Sequence, residues 1–368
     1  MIKISTPSRL CLFGEHQDYL GLDVIALAID LRFSAQVERR ADSRIVIRIR
    51  DDRLDTLNVE NADGLYQTTE IDLSQPIVCG GGRDYLRSTV NVLLKEGYAL
   101  GGADIRMDST IPIGKGMCSS STMVVALTKA LLESVGHPDK DDPSRIAWLA
   151  FAAEVLAFNE PGGMMDHYAS ALGGLVHLNF AQGTRACPLE VQLPGCFILV
   201  DSRTQKDTTR ILAESKIPQT EALAQLRPFG VNSVRDFIDD PEKMVLLEKL
   251  DEFRRRKLSA GIENHRLFRR ALEGLQKGIA PEELGAMIYA HHVQLRDGLG
   301  ISTPAVDYIL ETAMAHGAWG GKINGSGGGG CCYVYAAAHK AGEIISAVEA
   351  LGYPARVLHQ DTGVRVDG

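Results

Sequence analysis

Hydrophobic residues recur with two different spacings along this chain, and each spacing predicts one kind of element. Residues 2–4 and 6–13 predict two short strands, and residues 33–73 alternate between apolar and polar positions as half-exposed antiparallel strands do. Residues 84–96 and 142–156 carry apolar side chains three and four positions apart, which predicts two helices. The first half of the chain is therefore predicted to mix strands with helices.

The second half of the chain starts again with a strand. An apolar run over 197–202 predicts that strand, and helical spacing dominates the residues between 205 and 299. A glycine-rich stretch, a strand, a helix and a last strand over 355–358 follow. This order is typical of an α+β fold. Because 368 residues are enough for two separate cores, we predict two domains, 1–190 and 191–368.

One loop that runs into a helix is a candidate binding site. Pro112, Gly114 and Gly116 break regular structure and let the backbone approach a ligand closely. Residues 119–122 are Ser-Ser-Ser-Thr, at the start of a helix that stops at Gly136. The first N–H groups of a helix lack partners and lie at the positive end of its dipole, so a triphosphate fits this position. On the residues alone, an ordinary capped helix after a turn is an equal alternative.

Three further stretches place polar residues or glycines where a packed core does not need them. Residues 14–19 put two carboxylates directly after an apolar strand, which indicates either a site at the strand end or a polar turn. Glu154 lies among alanines and leucines, and Asp166 follows a glycine-rich turn; taken singly, these two residues also fit an edge residue and a helix N-cap. Residues 325–330 hold five glycines in six positions, which favours backbone packed against a ligand or loop over a flexible linker.

Composition and charge narrow the class of protein. A hydrophobic content of 45% and a charged content of 23% are ordinary for a soluble globular protein. The net charge of −8 argues against a nucleic-acid partner, so any anion site must be local. No apolar run approaches the length of a membrane span, the N-terminus lacks a signal-peptide pattern, and the seven cysteines form no C-x-x-C pair. We therefore expect a cytoplasmic protein with reduced thiols and no membrane partner, and a monomer with a dimer as the alternative.

Three stretches, in this order, resemble the three motifs of the GHMP kinase superfamily, the small-molecule kinases that include galactokinase, homoserine kinase and mevalonate kinase. They are residues 7–19, 112–121 and 322–331. The first is similar to the galactokinase signature, whose core reads Gly-Glu-His-x-Asp-Tyr. Residues 162–167 and 292–304 narrow the resemblance to the galactokinase-like branch. The resemblance implies a two-domain GHMP kinase fold, with a ribosomal protein S5 domain 2-like N-terminal domain and a ferredoxin-like C-terminal domain.

The resemblance also implies an activity, ATP-dependent phosphorylation of a sugar at its anomeric hydroxyl. Asp166 matches the carboxylate beside the reacting hydroxyl, and Arg9 matches the basic residue that keeps it ionised and neutralises the transferred phosphoryl group. Glu154 and Ser120 match the ligands of Mg²⁺, a cation that prefers oxygen donors. The resemblance implies that the sugar is contacted by Glu15, His16, Asp18, Gly163 and Asp166. It implies that ATP is contacted by Pro112, Gly114, Lys115, Gly116, Met117, Cys118, Ser119, Ser120 and Ser121. Residues 325–329 are implied to support the ATP loop.

One departure from galactokinases bears on the substrate. After the strand at 197–202, galactokinases carry a tyrosine that contacts the sugar, whereas residues 203–210 contain none. Lys206 and Arg203 are candidates for facing an anionic group instead, such as the carboxylate of a uronic acid. We therefore leave the identity of the sugar open and keep the phosphotransfer chemistry.

Two other functions compete with the sugar kinase. The first is a catalytically silent relative that binds sugar and ATP and regulates other proteins; the presence of Arg9, Glu154 and Asp166 argues against it, since a sensor needs no such trio. The second is a GHMP kinase that acts on a non-sugar alcohol, which the galactokinase-like core at residues 14–19 disfavours.

Overall fold

The computed structural model describes residues 1–50, 65–80, 82–112, 114–180 and 183–367. Within these ranges the strands form one eight-stranded and one four-stranded sheet. The strands of the larger sheet are β1 (Ile2–Phe13), β2 (Val24–Arg39), β3 (Arg44–Arg50), β4 (Tyr66–Asp72), β5 (Ala103–Ser109), β6 (Leu175–Asn179), β7 (Arg185–Pro188) and β12 (Arg365–Asp367). All its pairs are antiparallel except β3 with β5. The order across this sheet is β12-β1-β2-β5-β3-β4, and β6 joins β7 to the N-terminal end of β2.

Four helices belong to the first half of the chain. The second of them packs against β1 and β2 with Val124, Leu127 and Leu131 fully buried, as its apolar spacing predicts. The third begins where the Asp142 side chain accepts hydrogen bonds from two backbone N–H groups of its first turn, next to Pro143. The four helices are α1 (Tyr85–Lys95), α2 (Ser119–Val135), α3 (Pro143–Glu154) and α4 (Met165–Leu172).

The four-stranded sheet consists of β8 (Cys196–Asp201), β9 (Ala318–Ile323), β10 (Cys331–Ala336) and β11 (Ala355–Leu358). It is antiparallel throughout and has the order β11-β8-β10-β9. Of its two central strands, β10 is completely buried because both of its faces are covered. The helices of this half are α5 (Thr208–Leu226), α6 (Arg235–Asp239), α7 (Glu252–Lys277), α8 (Pro281–Val293), α9 (Pro304–Ala315) and α10 (Ala341–Ala350).

The two sheets share one hydrophobic core. Tyr333 of β10 and Leu199 of β8 belong to the same buried cluster as β1, β2 and α2. Their chain neighbours Val334 and Val200 point to the opposite face and pack in a second cluster with residues of α9 and α10. One face of the smaller sheet is therefore continuous with the core of the larger one.

Two expectations about strands need correction or addition. The two strands predicted at residues 2–4 and 6–13 are one strand, β1, because pairing with β2 continues on both sides of a bulge between Pro7 and Ser8. The end of the chain also returns to the larger sheet, since β12 pairs with β1. The domain boundary between residues 190 and 191 stays a prediction. It assigns β12 to the second domain, although β12 pairs with β1 of the first. No helix of the described ranges is long and apolar enough to cross a membrane.

Candidate active site

The start of α2 offers unpaired backbone donors to a cavity. Cys118, the N-cap, has a left-handed backbone (φ 46°) and makes no side-chain cap. The first backbone hydrogen bond of the helix runs from Thr122 N–H to Cys118 O, so the N–H groups of residues 119–121 have no acceptor in the part of the chain that the structure describes. Gly114 and Gly116 are also left-handed. Such a turn leading into a helix concentrates N–H donors at the positive end of the dipole, which suits an anion.

Most of the predicted site residues line one cavity of about 440 Å³, a size that suits a small ligand. Two predicted ATP contacts do not line it. Pro112 lies at the start of the loop, and the Lys115 side chain pairs with Asp201 (Nζ to Oδ1, 3.2 Å). The carbonyl of Lys115 accepts a hydrogen bond from Cys331 N–H, so the backbone of this residue joins the loop to the start of β10. The lining residues from the sequence prediction are Arg9, Glu15, His16, Asp18, Gly114, Gly116, Met117, Cys118, Ser119, Ser120, Ser121, Glu154, Gly163 and Asp166.

An arginine of β1 holds the aspartate of α4 in this cavity. Arg9 Nε and Nη2 lie 2.8 and 2.7 Å from Asp166 Oδ1, and Nη1 donates to the carbonyl of Gly116 at 3.2 Å. Burial alone would lower the pKa of Arg9, but the negative charge of Asp166 raises it above its ordinary value. Both nitrogens use Oδ1, and the Oδ2 atom of the partly exposed Asp166 carboxylate has no hydrogen-bond partner among the described residues, so it is available to a hydroxyl. Arg9 thus joins the aspartate to the glycine loop.

Glu154, at the end of α3, is buried beside the start of α2. Its Oε2 accepts a hydrogen bond from His167 Nε2 at 2.7 Å. Burial alone would raise the pKa of Glu154, but hydrogen bonds from His167, Ser120 and Ser121 lower it below its ordinary value, so the group is a carboxylate. The described residues contain no cluster of three or more His, Cys, Asp or Glu that could hold a metal. One carboxylate and one hydroxyl nevertheless fit Mg²⁺, which completes its shell with phosphate oxygens and water.

Two of the predicted sugar contacts are already engaged with the protein. The Glu15 carboxylate forms a buried ion pair with Lys322 (2.6 Å), which lowers the pKa of Glu15 against the effect of burial. His16 Nε2 donates to the carbonyl of Ser326 (3.0 Å), and Nδ1 lies 3.0 Å from the Tyr19 hydroxyl. Burial lowers the pKa of His16 to about 4, so the ring is neutral near pH 7. Both residues line the cavity, but their polar atoms already bind other groups of the protein, and these contacts fix the conformation of the segment at residues 14–19.

Asp18 keeps its carboxylate at the cavity without a cationic partner among the described residues. Its two oxygens accept the N–H groups of Tyr19 (2.9 Å) and Met165 (3.1 Å). Burial is the main reason why the pKa of Asp18 is raised to about 6. Any side chain at Gly163 would overlap this carboxylate, which explains the glycine. Asp18 and Gly163 therefore form one contact surface between the segment at 14–19 and the start of α4.

The second glycine-rich segment supports the loop before α2. A Cβ atom on Gly325 would lie 2.5 Å from the carbonyl oxygen of Gly116, and one on Gly330 would overlap Lys115. Asn324 Nδ2 donates to the same Gly116 carbonyl at 3.1 Å. The close packing that the glycine content predicts is therefore confirmed.

The sequence left three residues in or beside the cavity without an assigned role: His167 and Lys206 line it, and Lys322 pairs with the lining residue Glu15. His167 and Lys322 were not singled out, although His167 directly follows Asp166 in the chain. Lys206 lines the cavity, whereas Arg203, its companion in the hypothesis about an anionic substrate, is exposed and does not. Residues in a segment that connects two elements follow no hydrophobic periodicity. The sequence therefore does not indicate whether the side chain of Lys206 or that of Arg203 points toward the cavity.

Backbone donors for an anion and an arginine-held aspartate in one cavity are features that a small-molecule kinase requires. Family models specify the class further: residues 84–174 match the GHMP kinases N terminal domain, 271–354 match the GHMP kinases C terminal model, and 2–39 match the galactokinase galactose-binding signature. Together these matches cover more than half of the chain. The protein belongs to the GHMP kinases, phosphotransferases that act on alcohol groups.

Relatives of two different specificities are similar to this chain. A mevalonate kinase of Thermococcus sibiricus is 27% identical over 365 residues, covering 99% of this chain and 97% of its own length. A galactokinase of Streptomyces coelicolor is 29% identical over 357 residues, covering 94% and 87%.

Solved structures of both specificities share the fold. The Lactococcus lactis galactokinase complexed with galactose superposes with a TM-score of 0.83 at 19% identity, covering 99% of this chain and 94% of its own. The mevalonate kinase of Methanococcus jannaschii gives 0.71 at 20% identity, covering 98% of both chains. The predicted two-domain GHMP kinase fold is confirmed, and the acceptor alcohol is left open.

Proposed function

We propose that this protein is an ATP-dependent sugar kinase that transfers the terminal phosphoryl group of ATP to the anomeric hydroxyl of a monosaccharide, giving a sugar 1-phosphate. One observation carries the proposal: Asp166 and the unpaired N–H groups at the start of α2 line the same cavity, and Arg9 contacts both Asp166 and Gly116. An alcohol beside the aspartate is thereby close to a phosphate chain on the loop.

The residues of the chain have distinct parts in the reaction. The second oxygen of Asp166 accepts the proton of the reacting hydroxyl, and Arg9 orients this carboxylate through its contacts with the first oxygen. The N–H groups at the start of α2 bind phosphate oxygens and hold them in line with the hydroxyl. Glu154 and Ser120 would hold Mg²⁺, which neutralises charge on the phosphates when bound.

A sugar is favoured over other alcohols by the segment at residues 2–39, which matches the galactokinase galactose-binding signature and contains Asp18. An oxygen-only side chain such as that of Asp18 suits the hydroxyl groups of a sugar. The mevalonate kinases, which match over almost their full length, support a second candidate, a kinase of a non-sugar alcohol. A silent regulator is disfavoured because the Arg9–Asp166 pair is intact.

The test is a panel of acceptors with ATP and Mg²⁺, followed by ADP release. The panel contains neutral hexoses, uronic acids and mevalonate. We expect turnover with a monosaccharide and, by phosphorus NMR of the product, a phosphate on the anomeric carbon. Turnover with mevalonate alone would establish the second candidate, and tight binding of a sugar without any turnover would establish the regulator.

A further inference from the structure

Lys206 differs from the other cations around the loop before α2. It lines the cavity, but no carboxylate oxygen of the described residues lies within 4.0 Å of its ammonium group. Within the same described ranges, its one hydrogen bond to a side chain goes to the Ser326 hydroxyl at 2.9 Å. Each of the other three cations has a carboxylate partner: Arg9 with Asp166, Lys115 with Asp201, and Lys322 with Glu15.

The environment of Lys206 is one in which an unpaired charge is costly. Burial and, after it, the positive charge of Arg9 lower the pKa of Lys206 to about 8, so most molecules still carry the ammonium at pH 7. A desolvated ammonium without a counterion is unfavourable unless a ligand supplies an anion. The geometry therefore describes a cation that is held ready for an anionic group.

The position of Lys206 indicates which anion this is. Its Nζ lies close to Gly116, since a Cβ atom on that glycine would be 2.7 Å away. Arg9 Nη1 contacts the carbonyl of the same glycine at 3.2 Å. Two cations thus flank one residue of the phosphate-binding loop, and one of them also holds Asp166. A group bound between them lies where a phosphate on the loop meets the alcohol.

We propose that the ammonium of Lys206 binds the terminal phosphate of ATP and stays in contact with that phosphoryl group during transfer. This inference rests on the proposed function. In the transfer, the bond from phosphorus to the bridging oxygen of ADP breaks, a bond from phosphorus to the alcohol oxygen forms, and the alcohol proton passes to Asp166. Lys206 donates hydrogen bonds and exchanges no proton. Charge on the three equatorial oxygens of the phosphoryl group is thereby shared between Arg9 and Lys206.

The experiment compares a nucleotide that carries a terminal phosphate with one that lacks it. Calorimetric titrations with Mg²⁺ and either AMP-PNP or ADP are performed on the wild type, Lys206→Met and Lys206→Arg. We expect Lys206→Met to weaken AMP-PNP at least about tenfold and ADP less than about twofold, and Lys206→Arg to restore part of the difference. Arg210→Met is the matched control, because Arg210 is a nearby cation whose exposed side chain pairs with Glu214 and does not line the cavity. It should match the wild type.

Three results would overturn the inference. Equal loss of AMP-PNP and ADP affinity in Lys206→Met would show a general effect on the loop. Unchanged affinity for both nucleotides, with turnover lost only for uronic acids, would assign Lys206 to a carboxylate of the acceptor. Failure of the wild type to bind either nucleotide would overturn the proposed function as well, whereas the first two results leave it intact. Thermal unfolding of each variant verifies that it is folded.

Discussion

Two glycine-rich segments meet in this protein and use glycine for different purposes. In the loop at 114–118, left-handed residues let α2 begin with N–H groups that have no acceptor among the described residues. In the segment at 325–330, the N–H groups of Gly328 and Gly330 bind the carbonyls of Ile301 and Thr204. The unpaired N–H donors that follow the first segment are available to a ligand, whereas Gly328 and Gly330 of the second segment donate to carbonyl groups of the protein. Glycine content alone is therefore a poor guide to binding, and the destination of each backbone N–H group is a better one.

The largest expected effect tests whether the chemistry takes place beside the first segment. Asp166→Asn removes the carboxylate that accepts the hydroxyl proton, and we expect kcat to fall at least about 100-fold because general-base catalysis contributes 10²–10⁴-fold. Affinity for ATP should stay within about threefold, since the donors of α2 are unchanged. Steady-state kinetics and nucleotide titration measure the two quantities. Near-normal turnover of Asp166→Asn would mean that the reaction takes place elsewhere. The loop at 114–118 would then no longer be distinguished from the segment at 325–330 by a role in catalysis.

The next prediction separates close packing in the second segment from backbone strain. Gly325→Ala places a methyl group against Gly116, whereas the control Gly352→Ala has a similar positive φ and nothing within 4 Å. Both variants carry left-handed strain, so their difference isolates the overlap. We expect Gly325→Ala to lower the free energy of unfolding by about 1–3 kcal/mol more than the control, and to raise KM for ATP.

Urea denaturation of both glycine variants provides the measurement. Equal losses of stability in Gly325→Ala and Gly352→Ala would mean that the segment adapts to the methyl group. It would then not fix the position of the loop, and the contrast between the two segments would fail.

The sequence predicted the local features of both segments and missed their long-range partners. The turn before α2, the helix itself and the dense packing at 325–330 follow from residues that are adjacent in the chain. The Glu15–Lys322 pair joins positions 307 residues apart, and no spacing rule relates them. The same reason hid the pairing of β12 with β1. Glu15 was predicted as a sugar contact from its motif, and only the fold shows that its carboxylate is bonded to a buried lysine.

At the catalytic centre, the resemblance to a family indicated which distant residues would meet, whereas hydrophobic periodicity gave no such information. Arg9 and Asp166 lie on different elements, and only the order of the motifs indicated that they would meet; the structure brings them to 2.7 Å. Lys206 shows the limit of this approach, because it lies outside every stretch that carries the resemblance. Its position depends on how the connection from β8 to α5 packs against the loop before α2, which no local pattern in the sequence indicates.

The smallest expected effect concerns Lys115, whose side chain is in the first segment but turned away from the cavity. Its ammonium pairs with Asp201, and both side chains are about one quarter exposed. Such pairs contribute about 0–1 kcal/mol, so Lys115→Met should change KM for ATP less than about fivefold. Asp201→Asn breaks the same pair and keeps the lysine, so it should have a similarly small effect. A tenfold rise in KM for Lys115→Met alone would show that this side chain turns to the phosphates, and that the loop binds ATP through a side chain as well as through its backbone.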